Sequence, residues 1–311
     1  MSTGVTAQSG VTSAPSPQSG LTSIVIVAAN SGDGLVKCVT ALIGGLDRGE
    51  IIVVDNDSHD GSIDRLATML AQNPLLRVLR NGANLGFGTG CNRGAALARG
   101  DAILFLNPDC VLMPSSLSLL RALLDAQPDV GLVGALQIDA AGRVDPASRR
   151  RDPLLRRALL TATGLSRFMP ALESVELALP VGEGSESVDA VSGALMLVRR
   201  TAFFKIGGFD EGYFLHCEDL DLCRRIRDAG YRVVCDNQVR VEHAKGGSSR
   251  SRPLFVAWHK HRGMWRWFTK FDPAARNPLL KAMVWSGIWT AFALKLPLLA
   301  TRRAFRAHAT H

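Results

Sequence analysis

The chain shows neither of the usual marks of export, an oxidised cysteine framework or a signal peptide. Its six cysteines (Cys38, Cys91, Cys110, Cys217, Cys223 and Cys235) include no Cys-x-x-Cys pair, and several sit in apolar or helical stretches. That is the pattern of free thiols in a reducing compartment. Residues 1–20 hold no charged side chain and no apolar run, so a basic, apolar-cored signal peptide is excluded there and the stretch reads as a disordered leader. Two nucleotide signatures also fail. Counting from Gly86 and Gly88, the dinucleotide fingerprint needs a glycine where Cys91 stands, and the first turn has Lys37 where its third glycine would fall. No Gly-Lys-Ser/Thr is present, which excludes a P-loop, and a dehydrogenase is disfavoured. Tryptophan is absent before residue 258. The longest apolar run of the tail, Ala282 to Leu294 between Lys281 and Lys295, falls short of the about 20 residues a spanning helix needs.

What remains is ample for a globular enzyme. The 311 residues are 47% hydrophobic, enough for one large or two ordinary domains. The net charge of +8 is unevenly placed. Residues 250–311 carry twelve Lys or Arg against one acid, Asp272, leaving the preceding body slightly acidic. A basic tail on an acidic body argues against a nucleic-acid-binding domain.

Short apolar runs that stop at polar turns organise the body. Ser23 to Ala29 ends in Asn30-Ser31-Gly32, Ile51 to Val54 ends in Asp55-Asn56-Asp57, and Ala102 to Leu106 ends in Asn107-Pro108-Asp109. Each is long enough for a buried strand and too short for most helices. With helical spans such as 35–46 and 115–126 between them, they predict a parallel sheet whose carboxyl ends share one edge, the place where open α/β sheets bind ligands. Asp55 and Asp109 would meet there. Hard oxygen donors at Asp109 suit Mg2+ or Mn2+, although Asn-Pro-Asp also makes an ordinary turn.

Further strands are expected at 74–79, 130–135, 231–235 and 238–241, with a strand pair over Val188 to Val198 broken at Ser192-Gly193. The glycine-rich loop Asn81 to Gly94 could bring backbone amides close to a nucleotide, or its glycines could simply ease helix packing. Residues 149–186 have weak periodicity and read as an insertion, either a lid or a disordered segment. Leu222, Ile226 and Ala229 recur at helical spacing and Gly230 sits in C-cap position, so a helix begins near Glu218. Asp221 can pair with Arg225 at i+4, while Asp219 lies on another side and suits a general base. His243, at a strand end, is a metal ligand or an ordinary hydrogen-bonded histidine.

These motifs together resemble family 2 inverting glycosyltransferases of the GT-A fold, most closely the bacterial dTDP-rhamnosyltransferase-like branch. The resemblance spans Ser23 to Ser249 and rests on residues 54–62, 84–92, 106–109, 192–194 and 207–223, in the family's order. It implies an α/β fold with a mostly parallel central sheet flanked by helices, over residues 21–250. It also implies roles. Asp55 would read the pyrimidine base, Ala28, Ala29 and Asn30 would line its pocket, and Asn84, Gly86 and Asn107 would border the nucleotide. Asp109, the last acid of the family's Asp-x-Asp, would hold the divalent metal, Mg2+ or Mn2+, with His243 a further metal ligand or a phosphate contact. Asp219 would be the catalytic base, with Glu218, Ser192 and Gly193 on the acceptor side. The implied partners are a nucleotide-sugar donor, dTDP-L-rhamnose, and a lipid-linked or polysaccharide acceptor.

Residues 251–311 form the basic tail, holding all five tryptophans. Aromatic residues beside Lys and Arg suit an amphipathic helix in an anionic membrane surface, or a helical lid packed on the body. The first reading places the protein in the cytoplasm, peripheral to the inner face of the plasma membrane. A homodimer is left open.

Overall fold

Nearly every apolar run of the body becomes a strand of one sheet. In the computed structural model, which describes residues 15–46, 48–69, 71, 73–163, 175, 177, 182, 184–244 and 252–308, the first half alternates strictly. It runs β1 (Gln18–Ala28), α1 (Gly32–Gly45), β2 (Gly49–Asp55), α2 (Ser62–Met69), β3 (Leu76–Arg80), α3 (Phe87–Leu97) and β4 (Gly100–Leu106). Then come β5 (Cys110–Leu112), α4 (Ser116–Ala126), β6 (Val130–Ile138), β7 (Arg149–Arg150), α5 (Leu155–Thr163), β8 (Ser185–Ser187), β9 (Ala190–Val191) and β10 (Leu195–Arg199). The chain continues through α6 (Arg200–Lys205), α7 (Glu218–Asp228), β11 (Arg232–His243), α8 (Pro253–Phe271) and α9 (Pro278–His308).

The sheet order is β3-β2-β1-β4-β10-β6-β11-β5, with β8 paired to β11. β3, β2, β1 and β4 are parallel, β6 and β11 are parallel to each other, and β10 runs antiparallel between β4 and β6. Because β10 is reversed, its amino end lies at the edge where β1, β2, β3, β4, β6 and β11 end. That reversal brings Ser192 and Gly193, just before β10, to the rim of Asp55 and Asp109.

Strand residues alternate between two packed faces, as a sheet buried on both sides requires. Ile24, Ile26, Val53 and Leu104 meet α1, α2 and α4, while Val25, Val27, Ile52 and Phe105 meet α3, α6, α7 and α8. Burying a core side chain of this kind contributes roughly 1.5–3 kcal/mol. All six cysteines are free and buried.

Several boundaries differ from those the sequence suggests. β1 begins at Gln18, inside the stretch read as a leader: Gln18 N–H donates to Arg99 O (2.7 Å) and Gly20 N–H to Asp101 Oδ2 (3.0 Å), so the neighbouring strand holds this segment. Residues 1–14 of that stretch lie outside the described residues, as does most of 164–183 in the insertion and the glycine loop 245–250 after His243. The insertion is partly ordered, containing β7, α5 and β8. The two strands expected at 231–241 are one, β11, with a register shift between Asp236 and Arg240 against β6.

The tail divides in two. α8 packs on the body, burying Trp267 to 1% exposure in the core. α9 packs on α8 through Trp258, Trp289 and Phe292, yet Leu279, Met283, Trp285 and Leu294 remain exposed. The helix continues through the lysines that bounded the apolar run. Its 20-residue stretch Pro278–Pro297, with none of its residues buried, is long and apolar enough by length and composition alone to cross a membrane.

Candidate active site

The rim is built first by three turns that follow β1, β2 and β3. Ala28 ends β1, and Asn30 turns the chain with φ 54. Asn30 N–H donates to Ser58 Oγ (3.1 Å), and Asn30 Oδ1 accepts from His59 N–H (2.8 Å), so the turn after β1 is tied to the turn after β2. Ala29 N–H donates to Ser31 Oγ (3.3 Å). Asp55 closes β2 almost buried; its Oδ1 accepts from Ser58 N–H (2.9 Å), and Arg80 at the end of β3 lies 3.7 Å from Oδ2.

Asn56 then joins the next turn. Its Nδ2 donates to Gly86 O (3.0 Å) and Asn84 Oδ1 (3.4 Å), while its Oδ1 accepts from Asn81 Nδ2 (2.6 Å). Asn84 Oδ1 also accepts from Gly86 N–H (3.1 Å). Gly86 has φ +88, and a Cβ there would lie 2.6 Å from Phe214 O. Only glycine fits such a left-handed, crowded position. The structure therefore brings Ala28, Ala29, Asn30, Asp55, Asn84 and Gly86 into one loop cluster.

Asn107 and Asp109 follow β4. A Cβ on Gly34 of α1 would lie 3.6 Å from Asp109 Cα, so the helix packs directly on this turn. His243 Nε2 is 3.2 Å from Asp109 Oδ1 and 3.4 Å from Asn107 Nδ2, while Nδ1 is 3.0 Å from Gln137 Oε1 at the end of β6. Gln137 can accept from Nδ1–H, which leaves the Nε2 lone pair turned toward the Asp109 carboxylate. Two electron-rich atoms so placed suit a shared cation, and an outer amide orienting the imidazole is typical of metal ligation. Cys110 completes a group of three whose donor atoms lie within 4.8 Å of one another. Burial pushes its thiol pKa well above the ordinary value, its Sγ lies 3.6 Å from Ala194 O, and a thiol is a softer donor than Mg2+ or Mn2+ prefers. Asp109 and His243 are thus the pair that fits a divalent cation.

The opposite wall starts with a strained turn. His216 and Cys217 both adopt φ near +70, unusual for residues with a Cβ, directly before α7. Asp219 in the first turn of α7 accepts from Gly193 N–H (3.0 Å) and from the Arg150 guanidinium (2.5 Å), both at Oδ2. Burial alone would raise its pKa, but the Arg150 charge and these donors outweigh it and hold the carboxyl below the usual range. Glu218 is the reverse: burial first, then the Asp219 charge, push its pKa up to about 8. Its Oε2 has no hydrogen-bond partner among the described residues. Ser192 Oγ accepts from Ala194 N–H (3.3 Å) and shapes the turn.

The Asn107–Asp109 turn and Asp219 are linked through two adjacent residues. Asn107 N–H donates to Ala194 O (2.9 Å), and Gly193 N–H reaches Asp219. Asp221 pairs with Arg225, as the i+4 spacing suggests, and also with Lys270 of α8 (2.6 Å). Arg150, Gln137, Asn56 and Lys270 escape sequence reading. The run Arg149-Arg150-Arg151 is visible there, but nothing local says which arginine turns inward.

Comparison with known proteins agrees with this architecture. The family model described as Glycosyl transferase family 2 matches residues 23–171. The chain is 32% identical over 292 residues to an N-acetylglucosaminyl-diphospho-decaprenol L-rhamnosyltransferase of Mycobacterium tuberculosis, covering 83% of this chain and 92% of that protein. The chain belongs to glycosyl transferase family 2. The transferase is also 28% identical to the rhamnosyltransferase WbbL of Escherichia coli K12, over 68% of this chain and 78% of WbbL. Among solved structures, the mannosyltransferase PcManGT of Pyrobaculum calidifontis, in complex with GDP-Man and Mn2+, superposes with a TM-score of 0.57 at 19% identity, over 93% and 75% of the two chains. GalNAc-T7 with UDP, GalNAc and Mn2+ gives 0.61 at 20% identity over 80% of this chain. The transferase spans only 47% of the GalNAc-T7 chain. These likenesses establish the GT-A fold.

Proposed function

We propose that the transferase moves L-rhamnose from dTDP-L-rhamnose to a lipid-linked or polysaccharide acceptor, with inversion and with Asp219 as general base. The observation that carries this reading is the Asp219 carboxylate, paired with Arg150 and joined through Gly193 and Ala194 to the rim that holds Asp109. Displacement at the anomeric carbon needs an acceptor hydroxyl to lose its proton on one face while the nucleoside diphosphate leaves from the other. Asp219 takes the proton. The turns of Ala28 to Asn30, Asp55 and Asn84 to Gly86 offer backbone and amide groups to the nucleotide, and Asn107 borders it. A divalent cation held by Asp109 and His243 would supply Lewis-acid stabilisation of the departing diphosphate. Rhamnose as the sugar rests on the names of the two rhamnosyltransferase relatives, and the lipid-linked acceptor on that of the Mycobacterium tuberculosis one. Glu218, Ser192 and Gly193 border the acceptor side.

The exposed apolar face of α9 and the surplus of Lys and Arg in the tail support a position at an anionic membrane surface, on the cytoplasmic side. Flotation with anionic vesicles checks this: removal of residues 276–311 should abolish it, and unchanged flotation defeats it. The central test is Asp219→Asn assayed with dTDP-L-rhamnose and N-acetylglucosaminyl-diphospho-decaprenol. Transfer should fall by about 10²- to 10⁴-fold, while thermal stabilisation by the donor with Mn2+ persists. Undiminished turnover would refute the assignment.

A further inference from the structure

Arg150 lies on β7, which pairs antiparallel with β9. Its guanidinium is largely enclosed, at 18% side-chain exposure, and donates both to Val191 O (3.1 Å) and to Asp219 Oδ2 (2.5 Å). Val191 precedes the Ser192-Gly193 turn whose Gly193 N–H also reaches Oδ2. One small two-stranded ribbon therefore supplies both donors to the same oxygen. Leu220 N–H donates to the other oxygen, Oδ1 (2.8 Å).

A carboxylate offers about four lone-pair sites. Both sites on Oδ2 are filled, and one of the two on Oδ1. We infer that Arg150 is a positioning residue: it fixes Asp219 as an anion and turns it so that the open lone pair of Oδ1 faces the acceptor hydroxyl. The inference rests on Asp219 being the base. In the transfer step the acceptor O–H bond breaks, its proton passes to Oδ1, the hydroxyl oxygen bonds the anomeric carbon, and the diphosphate leaves with the electrons of the broken glycosyl bond. Arg150 then remains hydrogen-bonded to a neutral Asp219.

Other titratable groups surround the pair: Glu218, Cys217, Cys223 and Arg227 on or beside α7, His216 in the preceding turn, and Lys260 and His259 on α8. Among the described residues, Arg150 is the one cation that touches the carboxylate. An opposite charge in contact lowers a carboxyl pKa by about 1 to 3 units. The contact joins residues 69 positions apart.

The test is titration of the Asp219 carboxyl by 13C NMR in the full chain, with Asp219→Asn assigning the resonance. Arg150→Gln should raise the apparent pKa by about one unit or more. Arg150→Lys, which keeps the charge but not the fork, should stay near wild type and controls for folding. In transfer assays, Arg150→Gln added to Asp219→Asn should cause no further loss, because residues acting as a unit are not additive. An unmoved titration, or losses that simply multiply, overturns the role. The titration needs no turnover, so equal activity of wild type and Asp219→Asn would refute the base assignment separately.

Discussion

The two sides of the strand-end rim, which the proposal assigns as donor wall and base wall, are held by different forces. The donor wall, at the ends of β1 to β3, consists of short polar side chains and backbone groups close in sequence: Asn30, Asp55, Asn56, Ser58, Asn81, Asn84 and Gly86 lie within 57 positions on three consecutive turns. The base wall is assembled from distant cations on separate elements. Arg150 of β7 and Lys270 of α8 both reach the first turn of α7, and Asp152 receives Arg224 and Arg227. A neutral hydrogen bond contributes about 1 kcal/mol net, whereas removing one partner of a buried ion pair leaves an unpaired charge at far greater cost. The donor wall should therefore tolerate single changes in stability while losing affinity. The base wall should do the opposite.

Lys270→Met gives the largest expected effect. Lys270 Nζ bridges Asp210 (2.7 Å) and the fully buried Asp221 (2.6 Å), pinning α8 to the turn before α7. Asp221 keeps Arg225, so the loss should sit at the low end for a broken buried pair, about 3 kcal/mol. Urea unfolding measures it, and hydrogen exchange should show α8 and α7 opening ahead of β1 to β4. Uniform loss of protection would erase the distinction between the walls. Asn56→Ala probes the other side. Leaving Gly86 O and Asn81 unpartnered should destabilise by about 1–2 kcal/mol. Its clearer signature should be a raised KM for the nucleotide sugar with a smaller change in kcat, since the turn it holds reaches the segment before Asp219 only through Phe214.

The same contrast decides what the sequence discloses. Ala102 to Leu106 announces β4 because a run of apolar residues bounded by Asp101 and Asn107 has few alternatives, and the acids that follow β2 and β4 fall at strand ends by necessity. The helix of Glu218 to Asp228 is legible from its periodicity and from Gly230, and the Asp221–Arg225 pair from spacing alone. Rules of that kind act over a few residues. Arg150 meeting Asp219, Gln137 orienting His243 and Lys270 reaching Asp221 depend on β10 reversing between β4 and β6 and on α8 folding back over α7, which no local pattern encodes. Gln18 was hidden for a related reason: a polar segment becomes a strand only because Arg99 and Asp101 of its neighbour receive its amides. The extent of α9 was obscured by Lys281 and Lys295, whose long stems let a helix pass through them.

Glu218→Gln should give the smallest effect near pH 4 and the sharpest pH dependence for the base wall. Glu218 is 7% exposed, beside the Asp219 carboxylate, and its folded pKa is pushed up to about 8 from an ordinary 4.5. At low pH both folded and unfolded states hold the proton, so Glu and Gln should be equally stable near pH 4. As pH rises above the unfolded value, the unfolded chain releases the proton while the folded chain retains it. Stability then declines with pH until the folded group ionises as well. Glutamine mimics the protonated acid and cannot titrate, so the variant should lack this decline. The difference in Tm should open between pH 5 and 8 in favour of the variant, because only the glutamate chain must hold in the folded state a proton that its unfolded form releases. Parallel Tm curves across that window would mean that Glu218 ionises as freely in the folded chain as in the unfolded one. In that case the charge beside Asp219 would be tolerated, and the base wall would be less sensitive to buried charge than its ion pairs imply.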